Sequence, residues 1–318
     1  MIGRMSSDQI HQSGLDVILD AQKKLSRTQE ELASGKRLLT PADDPVATAQ
    51  IQSIRSELSR IETMQSNISR ASSELAMVED SVANVEGLLM RARELAVRGA
   101  NDSLSLQDRE IIATEIDALR EQLIATANTQ SSDGDYIYAG YAVSAAPYTD
   151  ATVNATYAGD TGVRAINIAP GLTVNTRFAG EAVFGQGSAA TGQLNAFEAL
   201  AVLSAGLRGN ASEAITSLTN NGNAVTQDEA INISMQALDT NLETVRSVRT
   251  QLGVRMNRVD DQQALNANFN VRLQETLSGL EDLDYTKAIT EMNLQMVALE
   301  AAQMAYTKTQ SLSLFNYM

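Results

Sequence analysis

The chain has 318 residues, a mass of 34.1 kDa and a formal net charge of −15 at pH 7. Such an acidic chain lacks the basic footprint that nucleic-acid phosphates need, and it is equally unsuited to docking on an anionic membrane. The absence of cysteine excludes a disulfide scaffold, an iron–sulfur cluster and a thiol nucleophile. His11 is the only histidine, so a zinc site built on several histidines is excluded and no cofactor is expected.

Two further features of the composition bear on location and fold class. No run of apolar residues approaches the roughly 18–20 needed to cross a bilayer, so we expect no membrane insertion. The first twenty residues lack the apolar segment of a secretory signal, so any export is expected to proceed without a cleaved signal peptide. Only 4% of the residues are aromatic, which favours long helices over a thick globular core.

The first predicted helix runs from about residue 13 to 34 and ends at Gly35, a residue type that commonly follows a helix. Asp43 and Asp44 come next, and Asp44 matches a helix N-cap because Pro45 occupies the first helical position. Apolar residues recur along the first helix at steps of three and four, which predicts a seam for a partner helix. That stripe consists of Ile18, Ala21, Leu25, Thr28 and Leu32.

Two more helices are predicted before the composition changes. One continues from Pro45 to about Arg98, and the other runs from about residue 105 to 129. Because the connection between them is short, they are expected to lie antiparallel. The apolar seam of the longer helix is predicted to include Ile51, Ile54, Leu58, Ile61, Met64, Ile68, Leu75, Val78, Val82, Val85 and Leu89.

A segment rich in Gly, Thr, Ala and Val follows the turn at Asp133-Gly134. Residues 136–138 read Tyr-Ile-Tyr and are predicted to form a strand. Further strands are predicted at 163–168 and 172–176, where apolar residues alternate between glycine-containing turns. These features indicate a small β-rich domain inserted in a helical chain.

Helices return in the last third of the chain. A short amphipathic helix is predicted around Phe197–Leu207, and a long one starts near Asp228 with Phe269 in its predicted seam. Asp284 matches the N-cap of a terminal helix. The apolar stripe of that terminal helix consists of Ile289, Met292, Met296, Leu299, Gln303 and Tyr306.

The two terminal stripes together suggest an assembly subunit. An isolated helix of this length is marginal in water, so we expect both ends to pair with each other and with neighbouring molecules. The predicted fold is therefore mainly α, a long antiparallel helical rod or coiled coil formed by both termini, with a small β-rich inserted domain. Because termini are normally polar, the apolar C-terminal end is also assigned to this interface. The candidate interface residues are Ile18, Leu25, Leu32, Ile289, Met292, Met296, Leu299, Leu314 and Phe315.

Motifs that could carry catalysis are weak in this chain. Gly35-Lys36 lacks the earlier glycine and the preceding strand of a phosphate loop, and a helix end explains it better. Asp160-Thr161-Gly162 matches the aspartic-protease tripeptide, but no second copy exists to supply the paired carboxylate, which leaves a β-turn. We therefore expect the protein not to be an enzyme.

Several segments match a known family. Residues 29–37, Gln-Glu-Glu-Leu-Ala-Ser-Gly-Lys-Arg, and 41–47, Pro-Ala-Asp-Asp-Pro-Val-Ala, resemble the N-terminal signature of bacterial flagellins and their relatives. Residues 136–141, 159–162 and the ending Leu-Ser-Leu-Phe-Asn-Tyr-Met are similar to the hook–filament junction branch of that family. The resemblance extends over essentially the whole chain.

This resemblance implies a structural role in the flagellum, outside the cell, after export by the flagellar type III apparatus. It implies an assembly domain from residues 1–43 and 285–318, a rod domain from 44–134 and 194–284, and an outer domain from 135–193. The implied partners are further copies in a ring, the first hook-associated protein, flagellin, and an export chaperone on the C-terminal segment. In the free subunit the ends are expected to be mobile and the middle folded.

Two other functions remain open at this point. A minor flagellin shares the same terminal signature, but it would grow filaments by itself. A chemoreceptor-like signalling coiled coil shares the helical composition, but it would need a membrane segment or a partner domain and does not account for the β-rich insert.

Overall fold

A computed structural model of the chain describes residues 7–149, 155–187, 193–209 and 226–315, with side chains described from residue 12 to 309 of these. The described helices are α1 Ser7–Ser34, α2 Pro45–Gly99, α3 Leu106–Ala127, α4 Gly180–Phe184, α5 Ala196–Leu207, α6 Gln227–Glu281 and α7 Tyr285–Phe315. The described strands are β1 Tyr148–Thr149, β2 Thr156–Tyr157, β3 Ala165–Ala169 and β4 Leu172–Asn175. The predicted mainly helical fold with a small β-rich insert is confirmed.

The chain divides into two compact units. Residues 1–61 and 267–318 form the terminal unit, and residues 62–266 form the central unit. Because α2 and α6 each contribute residues to both, the boundary falls inside helices rather than in a loop. The three-domain division expected from the family resemblance stays a prediction.

The central unit is built around the antiparallel helices α2 and α6. Glu86 accepts hydrogen bonds from Arg246 at 2.9 Å and from Arg249 at 3.1 Å, and Arg249 also bonds Glu79 at 3.0 Å. Residue numbers rise along α6 as they fall along α2, as expected for an antiparallel pair. Between the helices the predicted seam is fully buried on α2 at Leu75, Val78, Val82, Val85 and Leu89, and on α6 at Leu238, Val245, Leu252 and Val259.

The shorter helices close the core of the central unit. α3 packs against α5, and each begins with a reciprocal capping box. Ser105 and Asp108 form the box of α3, while Asn195 and Glu198 form that of α5. Each box satisfies backbone donors that a helix start leaves without intrahelical partners, which explains why both helices begin where they do.

One residue of the predicted α6 seam was assigned wrongly. Phe269, in the terminal unit, is 52% exposed, and its ring lies 5.2 Å from the guanidinium of Arg272. The less exposed positions of this part of α6 are residues 270, 273, 277 and 280. Phe269 is thus one residue out of phase with the buried face, although hydrophobicity alone favours placing it in the seam.

Two antiparallel strand pairs make up the β-rich insert. β1 pairs with β2 through Tyr148 opposite Tyr157, and β3 pairs with β4 through Ile166 opposite Val174. Gly171, with a φ of 74°, occupies the tight turn between β3 and β4. The rings of Tyr138, Tyr148, Tyr157, Phe184 and Phe197 pack together, with centroids 4.7–5.4 Å apart.

The predicted strand at 136–138 is wrong. Tyr136 makes only an isolated bridge with Gln130, and the chain beyond it turns. The backbone here curls around Asp160, whose Oδ1 accepts from the N–H of Tyr141 at 2.8 Å and of Gly162 at 2.7 Å. These two bonds hold the pKa of the Asp160 carboxyl below its usual value. The Asp-Thr-Gly segment therefore has a structural role as the acceptor for this turn.

Candidate assembly interface

The inner face of α1 is the stripe expected from the sequence. Ile18, Leu25 and Leu32 are each half-buried, while Thr28 is 5% exposed. These residues lie toward α7, because Thr28 Oγ1 is 3.0 Å from Oε1 of Gln295. α1 and α7 are therefore paired along their apolar seams in the terminal unit.

The structure separates the predicted stripe of α7 into two sets. Met292 and Leu299 are half-buried, whereas Ile289 is 46% and Met296 41% exposed. The less exposed residues of α7 are spaced at steps of four and three and form its inner face. They are Ala288, Met292, Gln295, Leu299, Ala302 and Tyr306. Ile289 and Met296 thus lie outside the seam with α1, and their part in assembly stays a prediction.

The outer faces of both helices carry exposed apolar side chains. On α7, Leu294, Val297 and Met304 are each about two-thirds exposed. The described outer side chains of α7 include few charges: Lys287, Glu291, Glu300 and Lys308. On α1, Leu15, Val17 and Leu19 are exposed as well. Large apolar side chains exposed together on one surface are typical of a protein contact, so this pair is suited to contact further protein.

Leu314 and Phe315 fall in the last turn of α7, and their side chains lie outside the described part of the chain.

The segment after α1 pairs with the segment that connects α6 to α7 through an isolated antiparallel bridge between Lys36 and Asp282, here called the crossing. Gly35 adopts a φ of 68°, and its N–H donates to Glu31 O at 2.9 Å, which ends α1. Its own carbonyl oxygen accepts from Leu283 N at 3.0 Å, and Arg37 N donates to Glu281 O at 2.8 Å. These bonds join the segment that follows α1 to the segment that precedes α7, at the end of the α1–α7 pair that is here called its base.

Glu281 is the acidic partner of two basic side chains at this crossing. The residue is 7% exposed, and its carboxylate pairs with Lys36 and accepts two hydrogen bonds from Arg55. The Lys36 ammonium, followed by Arg55, holds the pKa of Glu281 below its usual value despite the opposing effect of burial. One carboxylate at the end of α6 therefore contacts both the segment after α1 and the start of α2.

The signature segment at 43–45 organises the start of α2. Asp43 accepts from the N–H of Thr40 at 2.9 Å and of Leu39 at 3.1 Å, and its other oxygen lies 2.8 Å from Arg27. The backbone bond from Thr40 makes the largest contribution to its lowered pKa. Asp44 Oδ1 accepts from Ala47 N at 3.0 Å, and α2 begins at Pro45. The segment thus turns the chain and starts the next helix.

The sequence did not reveal the residues that complete this interface. Ala288 and Gln295 belong to the seam, yet counting apolar residues favours Ile289 and Met296 because those are larger and more hydrophobic. The predicted stripe and the observed inner face both alternate between steps of three and four residues, so spacing alone could not have identified the inner face. Glu281 gave no local signal, because its partners are more than 220 positions away along the chain.

Among the described residues there is no group of three or more His, Asp or Glu side chains that could hold a metal ion. Over the same residues, no helix combines the length and apolar content that crossing a membrane requires.

Comparison with known families gives two matches. Residues 6–143 match the model of the bacterial flagellin N-terminal helical region, and residues 235–318 match that of the bacterial flagellin C-terminal helical region. The two segments include both helices of the α1–α7 pair and the crossing at its base.

Individual relatives extend this similarity to the full length. The chain is 25% identical over 322 residues to the flagellar hook-associated protein 3 of Escherichia coli, covering 98% of each chain. It is 26% identical over 272 residues to the flagellin of Listeria innocua, covering 84% of this chain and 82% of that one. It shares its fold with the flagellar junction protein FlgL of Legionella pneumophila, at a TM-score of 0.59 and 19% identity. That alignment covers 73% of this chain and 100% of the other.

Proposed function

This chain belongs to the bacterial flagellin family, and we propose that it is the structural subunit that joins the flagellar hook to the filament. One observation carries the proposal. The similarity to a hook-associated protein extends over 98% of both chains, whereas that to the Listeria innocua flagellin leaves about a sixth of each uncovered. Asp160, the acceptor for the turn at Tyr141, lies outside both flagellin family models.

The α1–α7 pair supplies the assembly surface in this proposal. Its outer residues Leu294, Val297 and Met304 have no cover within the described part of the chain. Packing the pair among sister copies in a ring would remove them from water, and each fully buried side chain of this kind stabilises by about 1.5–3 kcal/mol before ordering entropy is subtracted. Contacts that repeat around an axis in this way generate tubes.

The proposal extends to the partners on either side of the ring. The first hook-associated protein and flagellin are the proposed neighbours, because both must meet the exposed ends of such a tube. Before assembly, the α7 segment would expose Leu294, Val297 and Met304 to water. We propose that an export chaperone covers this C-terminal segment, and that the protein then leaves the cell without a cleaved signal peptide.

The direct test is deletion of the gene, with truncation after Thr286 as a second variant. Both should leave hooks intact while filaments fail to attach and flagellin is released into the medium. Electron microscopy of flagella with the protein labelled should show one band where hook meets filament. Filaments of normal shape in the deletion strain would contradict the proposal.

A minor flagellin is the second candidate, and the similarity to the Listeria innocua flagellin favours it. The two functions differ in what the purified protein does. A minor flagellin would polymerise alone into long filaments, whereas a junction subunit should not. Seeded polymerisation followed by light scattering and electron microscopy distinguishes them.

A further inference from the structure

The seam between α1 and α7 contains two kinds of row. On each helix a row of large apolar residues repeats every seven positions: Ile18, Leu25 and Leu32 on α1, and Met292, Leu299 and Tyr306 on α7. A second row on each helix is small or polar: Gly14, Ala21 and Thr28 on α1, and Ala288, Gln295 and Ala302 on α7. The two kinds of row differ in how well they define the alignment of the helices.

The large rows alone do not define that alignment. A shift of α7 by one heptad would again place large apolar residues opposite large apolar residues, with little loss of buried surface. Two antiparallel helices with such a repeat can therefore slip, and coiled coils commonly prevent slipping with a polar residue in the seam.

The first contact that distinguishes the register is polar. Thr28 Oγ1 lies 3.0 Å from Gln295 Oε1 and 3.1 Å from the carbonyl oxygen of Lys24. Thr28 and Ala288 are the only buried side chains among those described on α1 and α7. After a one-heptad slip, Thr28 would face Ala288 or Ala302 instead, and both polar groups of the seam would lose this partner at a cost in free energy.

The second contact is steric and lies two heptads away on α1. A Cβ built on Gly14 would approach Tyr306 Cδ2 to 2.9 Å, closer than real Cβ contacts. The Tyr306 ring therefore packs where only glycine leaves room. After a slip in one direction it would face Ala21, whose methyl group occupies that space.

We propose that the Thr28–Gln295 and Gly14–Tyr306 contacts together set the register of the α1–α7 pair and so decide which outer faces the assembled subunit presents. In a slipped register the amide of Gln295 would lose its hydrogen bond to Thr28, which disfavours that register. Gly14 leaves room for the Tyr306 ring, whereas Ala21 would not. The link to assembly rests on the proposed function, whereas the register itself is a property of the single chain.

Cysteine cross-linking of the purified full-length chain tests the register, because the protein contains no native cysteine. Ala21→Cys with Ala302→Cys reports the native register, and Ala21→Cys with Thr309→Cys reports a one-heptad slip. The ratio of the two yields after mild oxidation depends on the registers populated and not on how often the pair is formed. The ratio is measured in the parent chain, in Thr28→Val/Gln295→Leu, and in the swapped pair Thr28→Gln/Gln295→Thr. Leu25→Met/Leu299→Met is the matched control, since it alters only the large rows.

The slipped-to-native ratio should rise about fivefold in the apolar variant, as expected when one hydrogen bond of average strength no longer favours the native register. It should return toward the parent value in the swapped pair and stay at that value in the methionine control. An unchanged ratio in the apolar variant overturns the proposal, as does an equal rise in the methionine control.

Assembly in cells separates this proposal from the proposed function. If both hold, cells carrying the apolar variant should lose attached filaments while those with the swapped pair keep them. A raised cross-linking ratio with normal filaments would contradict the link between register and assembly, while the register lock itself would stand. If the protein proved not to act at the junction, the cross-linking ratios would be unchanged, because they are measured on the purified chain alone.

Discussion

Arg55 and Glu281 meet across 226 positions of sequence: Nη2 of Arg55 lies 2.8 Å from Oε1 and 2.7 Å from Oε2 of Glu281. Lys36 approaches the same carboxylate from the segment after α1. One side chain at the end of α6, that of Glu281, therefore contacts two other segments of the terminal unit. Since this point lies at the base of the α1–α7 pair, a change here should alter the whole terminal unit.

Glu281→Gln should lower the free energy of unfolding of the terminal unit by about 1–3 kcal/mol, because the nearly buried side chain loses its charged hydrogen bonds to two half-exposed cations. Hydrogen exchange at the amides of Arg37 and Leu283, which bond across the crossing, measures the loss locally. Glu57→Gln is the matched control, since Glu57 pairs with Arg60 on an exposed helix surface. That control should change stability by less than about 0.5 kcal/mol, and equal effects would contradict the role of Glu281.

The same pair should make stability depend on pH in acid. The pKa of Glu281 is lower in the folded chain than in the unfolded one. Its contribution is therefore complete above the unfolded value of about 4.3 and is lost as pH falls through the folded pKa. The difference in unfolding free energy between the parent and Glu281→Gln should be constant near neutral pH and shrink below about pH 4. Denaturant titrations at several pH values measure it, and a difference that grows on acidification would contradict this sign.

Gly35→Ala should destabilise the crossing for two reasons. A φ of 68° costs an alanine about 1 kcal/mol, and its Cβ would lie 2.8 Å from the hydroxyl oxygen of Tyr285. Gly134→Ala is a suitable control, because Gly134 has a φ of 83° but no atom within 4 Å of the added Cβ. Thermal unfolding followed by circular dichroism should show a larger loss for Gly35→Ala, and equal losses would mean that contact with Tyr285 is unimportant.

Helix boundaries were readable from the sequence where their chemistry is local. Asp44-Pro45 starts α2 and Gly35 ends α1, because a cap and a left-handed glycine act on their immediate neighbours. The phase of α7 was not readable, since apolar residues such as Ile289 and Leu294 occur on every side of it. The partner helix decides which side is buried, and small residues allow it to approach closely.

The failed strand prediction has a similar cause. Tyr-Ile-Tyr at 136–138 has the composition of a strand, but composition carries no information about Asp160, which lies 19 residues beyond Tyr141. The amides of Tyr136 and Ile137 donate to the carbonyl oxygens of Val143 and Thr129, and the Asp160 carboxylate fixes the turn that follows at Tyr141. Long-range acceptors of this kind override local preference and become visible only in the folded chain.

Tyr138→Phe should destabilise the central unit by about 1 kcal/mol. The Tyr138 hydroxyl is buried and donates to Ser81 Oγ at 2.8 Å, so its removal leaves a buried serine without this partner. Tyr141→Phe removes a hydroxyl from a residue that is 69% exposed, and it should change stability by a smaller amount. Urea denaturation of both variants makes the comparison, and a larger effect at Tyr141 would contradict the assigned packing.

The free subunit should lose its ends to protease before its middle. On α1 and α7, only Thr28 and Ala288 are buried among the described side chains, whereas the central unit has a continuous core of fully buried residues. Segments with few buried contacts open locally more often than a packed core does. Trypsin should therefore cleave at Lys24 and Lys287 and trim roughly residues 1–40 and 285–318. The Arg246 and Arg249 sites within the α2–α6 pair should resist in the same digest.

Subunits assembled in flagella should keep their ends, because in the proposed assembly neighbouring copies cover α7. Mass spectrometry of the fragments measures both cases, and protected ends in the free subunit would show that the α1–α7 pair is stable without neighbours.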